Sequence, residues 1–380
     1  MNKKSIVIAV VAIIVVVLLV VFGGGTKSPV SGQTVKIGVI GPMSGDAAAY
    51  GQELQKVVSY RIAQINAKAG PNDPKFEAIY EDGKCSGNDS VNAFQKLTTI
   101  DGVKIILGGF CSSETMPISS LANENKILII SPASSNPKIE GSGSFVFTLS
   151  YSDKKIAEDL AKEMSVYKKV AIITEQNDYN IGVRDAFLEA IKNYPNVQVV
   201  SNETFAKGSS DLRSLLEKVK VTQPEAVLLN PNGGTTAETL LRQIAEVKNW
   251  SGYKLYGQFS YIPDNIRSSV GTFTEGMTII DAPTLSDPEF IKLRDDIVAI
   301  KGGKLDSLGS YYTASTLDGI DIITGLISKL GNDSEKVGRA LSTEQFKGFI
   351  GDISFSGKNF VKLNISGKYI IEDGKAVLQK

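Results

Sequence analysis

Short apolar runs alternate with longer amphipathic stretches over most of this chain. Residues 35–40 (VKIGVI) precede a segment at 48–67 whose apolar positions Leu54, Val57, Val58, Ile62 and Ile65 share one helical face. The same pattern predicts strands at 76–80, 103–107, 127–130 and 145–148, with helices at 90–99 and 115–125. A second series begins with a strand at 170–174 (VAIIT). It continues as helix 182–193, strand 197–200, helix 210–220, strand 225–229, helix 235–247 and strand 253–257. Alternation of this kind, run through twice, predicts an α/β chain with two doubly wound parallel sheets. A strand at 277–281, helices at 287–301, 308–330 and 334–341, and an antiparallel end at 361–378 turning at 372–374 complete the pattern.

Ahead of the first strand, residues 6–22 form one unbroken apolar run preceded by Lys3 and Lys4. That length is at the short end of what spans a bilayer and is long for the core of a cleaved signal. The lysines place the N-terminus inside, so everything from residue 33 onward is expected outside the cytoplasm. The glycines at 23–25 leave signal cleavage open. Residues 23–33, rich in Gly, Ser, Lys and Pro, read as a flexible linker.

Composition narrows the chemistry. Lysine plus arginine and aspartate plus glutamate each number 41, giving no net charge and no basic excess for a nucleic-acid partner. Histidine is absent, which removes His-based catalysis and His metal ligands. The two cysteines, Cys85 and Cys111, read as a disulfide, two buried thiols or half of a metal site. Without His or a CxxC spacing the metal reading is weakest, and an oxidising compartment favours the disulfide. Closing that loop would stabilise by roughly 3 kcal/mol. The Gly-rich turn at 41–45 lacks the pattern of a phosphate loop, and no nucleophile elbow is present.

The most informative stretch is 111–137 (CSSETMPISSLANENKILIISPASSNP), a helix flanked by two polar loops that each end an apolar run. In an open parallel sheet such loops line a ligand crevice. Small hydroxyl residues ahead of a helix can hold an anionic group with hydroxyls and free backbone N–H groups. Plainer roles exist for each: Ser112 and Ser113 as helix caps, Ser134 and Ser135 as turn residues, Tyr50 as core, Asp178 as a cap or solvated acid. Trp250 reads as packing behind a helix end.

Residues 38–51 (IGVIGPMSGDAAAYG), 106–124 (ILGGFCSSETMPISSLANE), 130–137 (ISPASSNP), the F-x-G-x-x-G at 346–351 and the cysteine placement together resemble the branched-chain amino-acid-binding (Leu/Ile/Val-binding) protein family. These are type I solute-binding proteins of ABC importers. The resemblance implies two lobes joined by three hinge strands, with lobe one at 34–149 and 281–351 and lobe two at 150–280 and 352–380, after an anchor or signal segment at 1–22. It implies carboxylate binding by Ser112, further contacts from Ala133, Ser134 and Ser135, and ring contacts from Tyr50 and Tyr179, with Cys85 and Cys111 paired. The acid that holds the ammonium in amino-acid binders is missing from the loop GQFSYIPDN at 257–265, which leaves Asp178 as a substitute or a ligand without an ammonium. The implied protein is not an enzyme and needs no cofactor or metal. It closes on an amino acid or similar carboxylate, docks on a permease and is tethered to the membrane; a sensory protein for amides or amino-acid-like compounds is the alternative.

Overall fold

The computed structural model describes residues 30–247, 250, 252–355, 358–362 and 366–379. The apolar run at 6–22 lies outside them; among the described residues no helix is long and apolar enough to cross a membrane.

β1 (Thr34–Gly41) is buried on both faces over its second half, as expected of a strand inside a parallel sheet. It pairs in parallel with β2 (Lys75–Asp82) on one side and β3 (Ile105–Leu107) on the other. β4 (Leu128–Ser131) and β5 (Val146–Thr148) extend the sheet, giving the order β2-β1-β3-β4-β5. Helices α1 (Ala48–Lys68), α2 (Gly87–Gln95) and α3 (Ser112–Asn125) make the crossovers. Because β1 sits between β2 and β3, the chain switches direction there, where open α/β sheets form a crevice beyond their carboxyl ends.

The second sheet repeats the order. After α4 (Asp153–Met164) come β6 (Lys169–Gln176), α5 (Asp178–Ala190), β7 (Gln198–Ala206), α6 (Arg213–Val221), β8 (Ala226–Asn230), α7 (Gly234–Glu246) and β9 (Lys254–Gly257). A short helix α8 (Asp264–Arg267) leads to β10 (Thr278–Asp281). The parallel part reads β7-β6-β8-β9-β10, with its switch between β6 and β8. Trp250 is buried and rests edge-on against Tyr253, 5.4 Å between ring centres, in the core behind this sheet.

The chain then returns to the first sheet as α9 (Pro288–Lys301), α10 (Gly309–Leu330) and α11 (Ser334–Thr343). The Arg61 guanidinium forks onto Asp321 with both bonds at 2.7 Å, tying α1 to α10. Gly319 lets α10 approach β3 so closely that a Cβ would lie 2.7 Å from Leu107.

A small hairpin, β11 (Phe346–Gly348) and β12 (Gly351–Ile353), was not expected from the apolar pattern because its strands have three residues each. It accounts for the glycines of F-x-G-x-x-G. A Cβ on Gly348 would lie 2.4 Å from the Asp318 carboxyl, and Gly351 has φ of 108°. Asp318 accepts the N–H groups of Phe349 and Ile350 at 2.9 and 3.0 Å.

The end of the chain keeps the expected antiparallel turn but differs from expectation in where it first docks. Residues 352–380 were assigned to lobe two, yet Phe355 and Phe360 pack on the first sheet. Phe355 meets Phe147 at 5.1 Å, Phe360 bridges Thr148, and Asn359 donates to the Gly143 and Val146 carbonyls at 2.8 and 2.7 Å. The chain reaches the second sheet only with β13 (Gly367–Glu372), followed by β14 (Lys375–Leu378) across a two-residue Asp373-Gly374 turn in which both φ angles are positive. β13 pairs antiparallel with β10, so this sheet is not wholly parallel. The parallel strands end at the cleft, and a strand arriving from the other lobe starts there and must run the opposite way.

Candidate ligand-binding site

Past β3 the chain runs through Gly108, Gly109 and Phe110 to Cys111, which precedes α3. Cys111 is bonded to Cys85, with Cα atoms 5.3 Å apart, so the oxidised reading of the pair holds. Glu114, wholly buried, accepts the N–H groups of Cys85 and Cys111 at 3.0 Å each. Burial pushes its carboxyl up to about 7. The sulfurs and the Glu114 carboxyl lie within 4.8 Å of one another, but the sulfurs are bonded to each other and the carboxyl is engaged, so the trio is not a metal ligand set.

Helix α3 starts at Ser112, earlier than the apolar pattern indicates, and neither serine acts as the cap. Ser113 donates to the Cys85 carbonyl at 3.0 Å. Ser112 Oγ accepts the N–H groups of Ser135 and Asn136, both at 3.2 Å, and so staples the two polar loops together. A hydroxyl accepts two bonds and donates one. With both lone pairs of Ser112 occupied, its proton is what it offers, at a helix N-terminus that favours an anion.

In the following loop Ser134 turns inward. Its hydroxyl lies 3.1 and 3.2 Å from the Gly109 and Phe110 carbonyls and 2.7 Å from Thr115 Oγ1. Ser135 donates to Asp153 at 2.9 Å. Asp153 opens α4 from a buried position, and burial, opposed by the Ser135 bond and reinforced by Asp281, pushes its carboxyl up to about 8.

The second sheet supplies the facing wall. Asn177 caps α5 by accepting the Asn180 N–H at 2.9 Å, which draws Asp178 and Tyr179 into the first helical turn. Tyr179 donates to Gln258 at 2.8 Å. Gln258 in turn donates to Asn230 at the end of β8. Phe259 follows Gln258 in the loop after β9.

These pieces line a cleft that opens to solvent, about 490 Å³ with its open part counted, between the carboxyl ends of the two sheets. From the first sheet's side come Ala47, Tyr50, Cys85, Phe110, Cys111, Ser112, Ala133 and Ser135; from the second come Tyr179, Asn232 and Phe259; Tyr312 enters from α10. The rings form a chain: Tyr50 lies 6.1 Å from both Phe110 and Phe259, Tyr179 lies 5.5 Å from Phe259, and Phe110 lies 6.2 Å from Tyr312. No residue of this lining carries a formal charge.

Five candidates from the sequence, Tyr50, Ser112, Ala133, Ser135 and Tyr179, therefore meet in one cavity. Ser134 and Asp178 do not line it: the first is consumed by the loop's own hydrogen bonds and the second is exposed at the start of α5. Phe110, Asn232 and Tyr312 were not anticipated.

Residues 34–363 match a family described as periplasmic binding protein. An amino-acid binding protein of Pseudomonas aeruginosa is 32% identical over 219 residues, 56% of this chain and 57% of that protein, so this alignment spans little more than half of the relative. The leucine-, isoleucine-, valine-, threonine- and alanine-binding protein of the same organism is 26% identical over 341 residues, 88% of each chain. A solute-binding protein of an R. palustris ABC transporter, solved with 4-hydroxybenzoate, superposes with a TM-score of 0.79 at 20% identity, over 91% of this chain and 96% of that one. A leucine-binding protein of Thermotoga maritima gives 0.77 at 20% identity, over 91% and 98%. At such identities the superpositions bear on the fold.

Proposed function

This chain belongs to the periplasmic binding protein family, and on that premise we propose that it is the extracytoplasmic solute-binding component of an ABC-type importer, closing its two lobes around one small carboxylate. Lobe one, in this reading, comprises 34–149 and 281–362, and lobe two 150–280 with the end of the chain. The observation that carries the reading is the cavity at two facing switch points, with the Ser112 hydroxyl proton donated to no acceptor among the described residues at the head of α3. In this reading the Ser112 hydroxyl donates to the carboxylate, Ala133 and Ser135 line its seat, and Tyr50 and Tyr179 close over the remainder. Contacts from both lobes favour the closed state, since a ligand shifts such an equilibrium only by its differential affinity for the two states. The solute leaves unaltered, and residues 6–22 hold the protein at the membrane or are cleaved on export.

Ser112→Ala tests it. Loss of the hydroxyl strands two buried N–H groups, a cost of about 1–3 kcal/mol. It also removes a donor to the ligand. Thermal unfolding of the full chain should show a lower midpoint with the fold retained, and carboxylate affinity by calorimetry should fall at least tenfold. Unchanged affinity would remove the carboxylate from this loop.

A further inference from the structure

A second pocket, about 410 Å³ with its part open to solvent counted, adjoins the first, and both are lined by Phe259 and Tyr312. It is bounded by the end of β10, the chain leading into α10 and the loop after β9. Its chemistry is the opposite of its neighbour's: the lining holds two acids, Asp281 and Asp306, and neither lysine nor arginine. Asp306 is exposed and already lies 3.7 and 3.6 Å from Arg294 and Lys304. Asp281 is different. It is 8% exposed and accepts the Tyr151 hydroxyl at 2.8 Å. Among the described residues no cation pairs with it. A buried carboxyl without a counter-charge is costly to ionise, and burial pushes this one up to about 7.

We propose that the cleft is bipartite, its second compartment taking a cationic group against Asp281 while the ligand carboxylate stays at Ser112, so that the solute is an amino acid whose charges are several atoms apart, of the ω-amino type. This rests on the carboxylate reading of the first cavity. An α-ammonium, one carbon from its carboxylate, would lie in a compartment whose lining has no acid to meet it. The other buried acids nearby line neither cavity and are engaged: Asp153 with Ser135, Glu114 with the Cys85 and Cys111 N–H groups, and Glu53 with those of Ser307 and Leu308. A chain of methylenes running past the Phe259 and Tyr312 rings places carboxylate and ammonium where the protein has a donor and an acid respectively.

The test is calorimetry on the full chain with 4-aminobutanoate, 5-aminopentanoate, 6-aminohexanoate and 8-aminooctanoate, each beside the acid of the same length lacking the amine, with norleucine as the α-amino isomer of the six-carbon compound. Affinity should peak at one length. There the ω-amino compound should bind at least tenfold more tightly than its amine-free partner, and more tightly than norleucine when the peak falls at six carbons. Asp281→Asn should abolish that gain and leave the amine-free acid unchanged. Equal affinities with and without the ω-amine at every length would overturn the second compartment alone, as would a gain that survives in Asp281→Asn. Failure of every carboxylate to bind would overturn the first-cavity reading and this one with it. If the variant does not fold, the ligand series on the native chain still decides.

Discussion

Ser112 does two things with one hydroxyl: its lone pairs join two loops and its proton is left for a partner. Gly51 has a comparable double constraint. It sits in the first turns of α1, and a Cβ there would lie 2.2 Å from the Pro42 carbonyl oxygen, which is backbone and has nowhere to go. The glycine after Tyr50 is thus a steric requirement for seating the helix that presents Tyr50. Gly51→Ala should cost about 1–3 kcal/mol, the range for overpacking a tight site, read as a lower urea midpoint with unchanged slope. A loss below about 0.5 kcal/mol would mean that the β1–α1 loop yields, and that the close approach is not needed.

Between elements, the contact that matters most is the one across the cleft. Asn136, from the SPASS loop, donates to the Asp178 carbonyl at 2.5 Å, and Gly182 in α5 leaves room for it: a Cβ there would lie 2.5 Å from the Asn136 amide. Gly182→Ala should therefore hinder closure while leaving each sheet intact. We expect at least a fivefold loss of ligand affinity with a ligand-free melting point within about a degree of the parent, and small-angle scattering should show reduced contraction on ligand addition. Normal contraction would place the closing contact elsewhere. The Cys85–Cys111 bond fixes the loop after β2 to the start of α3, both at the cavity wall. Its replacement by Ser at both positions should lower stability by roughly 3 kcal/mol on the loop-entropy account. A negligible change in chemical denaturation would show that the loops are held by Glu114 and Ser113 without it.

For the whole molecule, the buried acids set the response to pH. Glu114 and Asp281 are pushed up to about 7, Asp153 to about 8 and Asp318 to about 6, each chiefly by burial. Each keeps its proton in the folded chain at pH values where the unfolded chain has already lost it. The folded state then binds more protons than the unfolded state between about pH 4 and pH 8, so stability falls as pH rises across that window. Acids with lowered values, such as Asp89, Asp211 and Asp333, weaken the fold only when protonated below that window. The melting temperature of the ligand-free chain should be higher at pH 5.5 than at pH 8.5. A flat or rising trend would mean that these carboxyls find charge compensation in the folded protein.

The apolar pattern by itself determined the α/β class, the two series of alternating elements and the positions of most strands, because strands buried on both faces are unbroken apolar runs whatever surrounds them. The hydroxyls beside the strand ends drew notice to Ser112 and Ser135 locally, whereas Tyr50 was implied only by the resemblance to the Leu/Ile/Val-binding family. Several things depended on contacts between distant segments and had no local signature. The hairpin at 346–353 exists because Asp318 reaches its backbone. Phe355 and Phe360 stay with the first sheet because Phe147 and Thr148 lie beside them. Ser134 and Asp178 carry the same polar chemistry as their neighbours, and only the packed loops decide that one turns inward and the other lies outside. The pairing of an uncharged cavity with an acidic one across Phe259 and Tyr312 is likewise a product of tertiary structure, since those two rings are 53 positions apart in the chain and meet only once both sheets are in place.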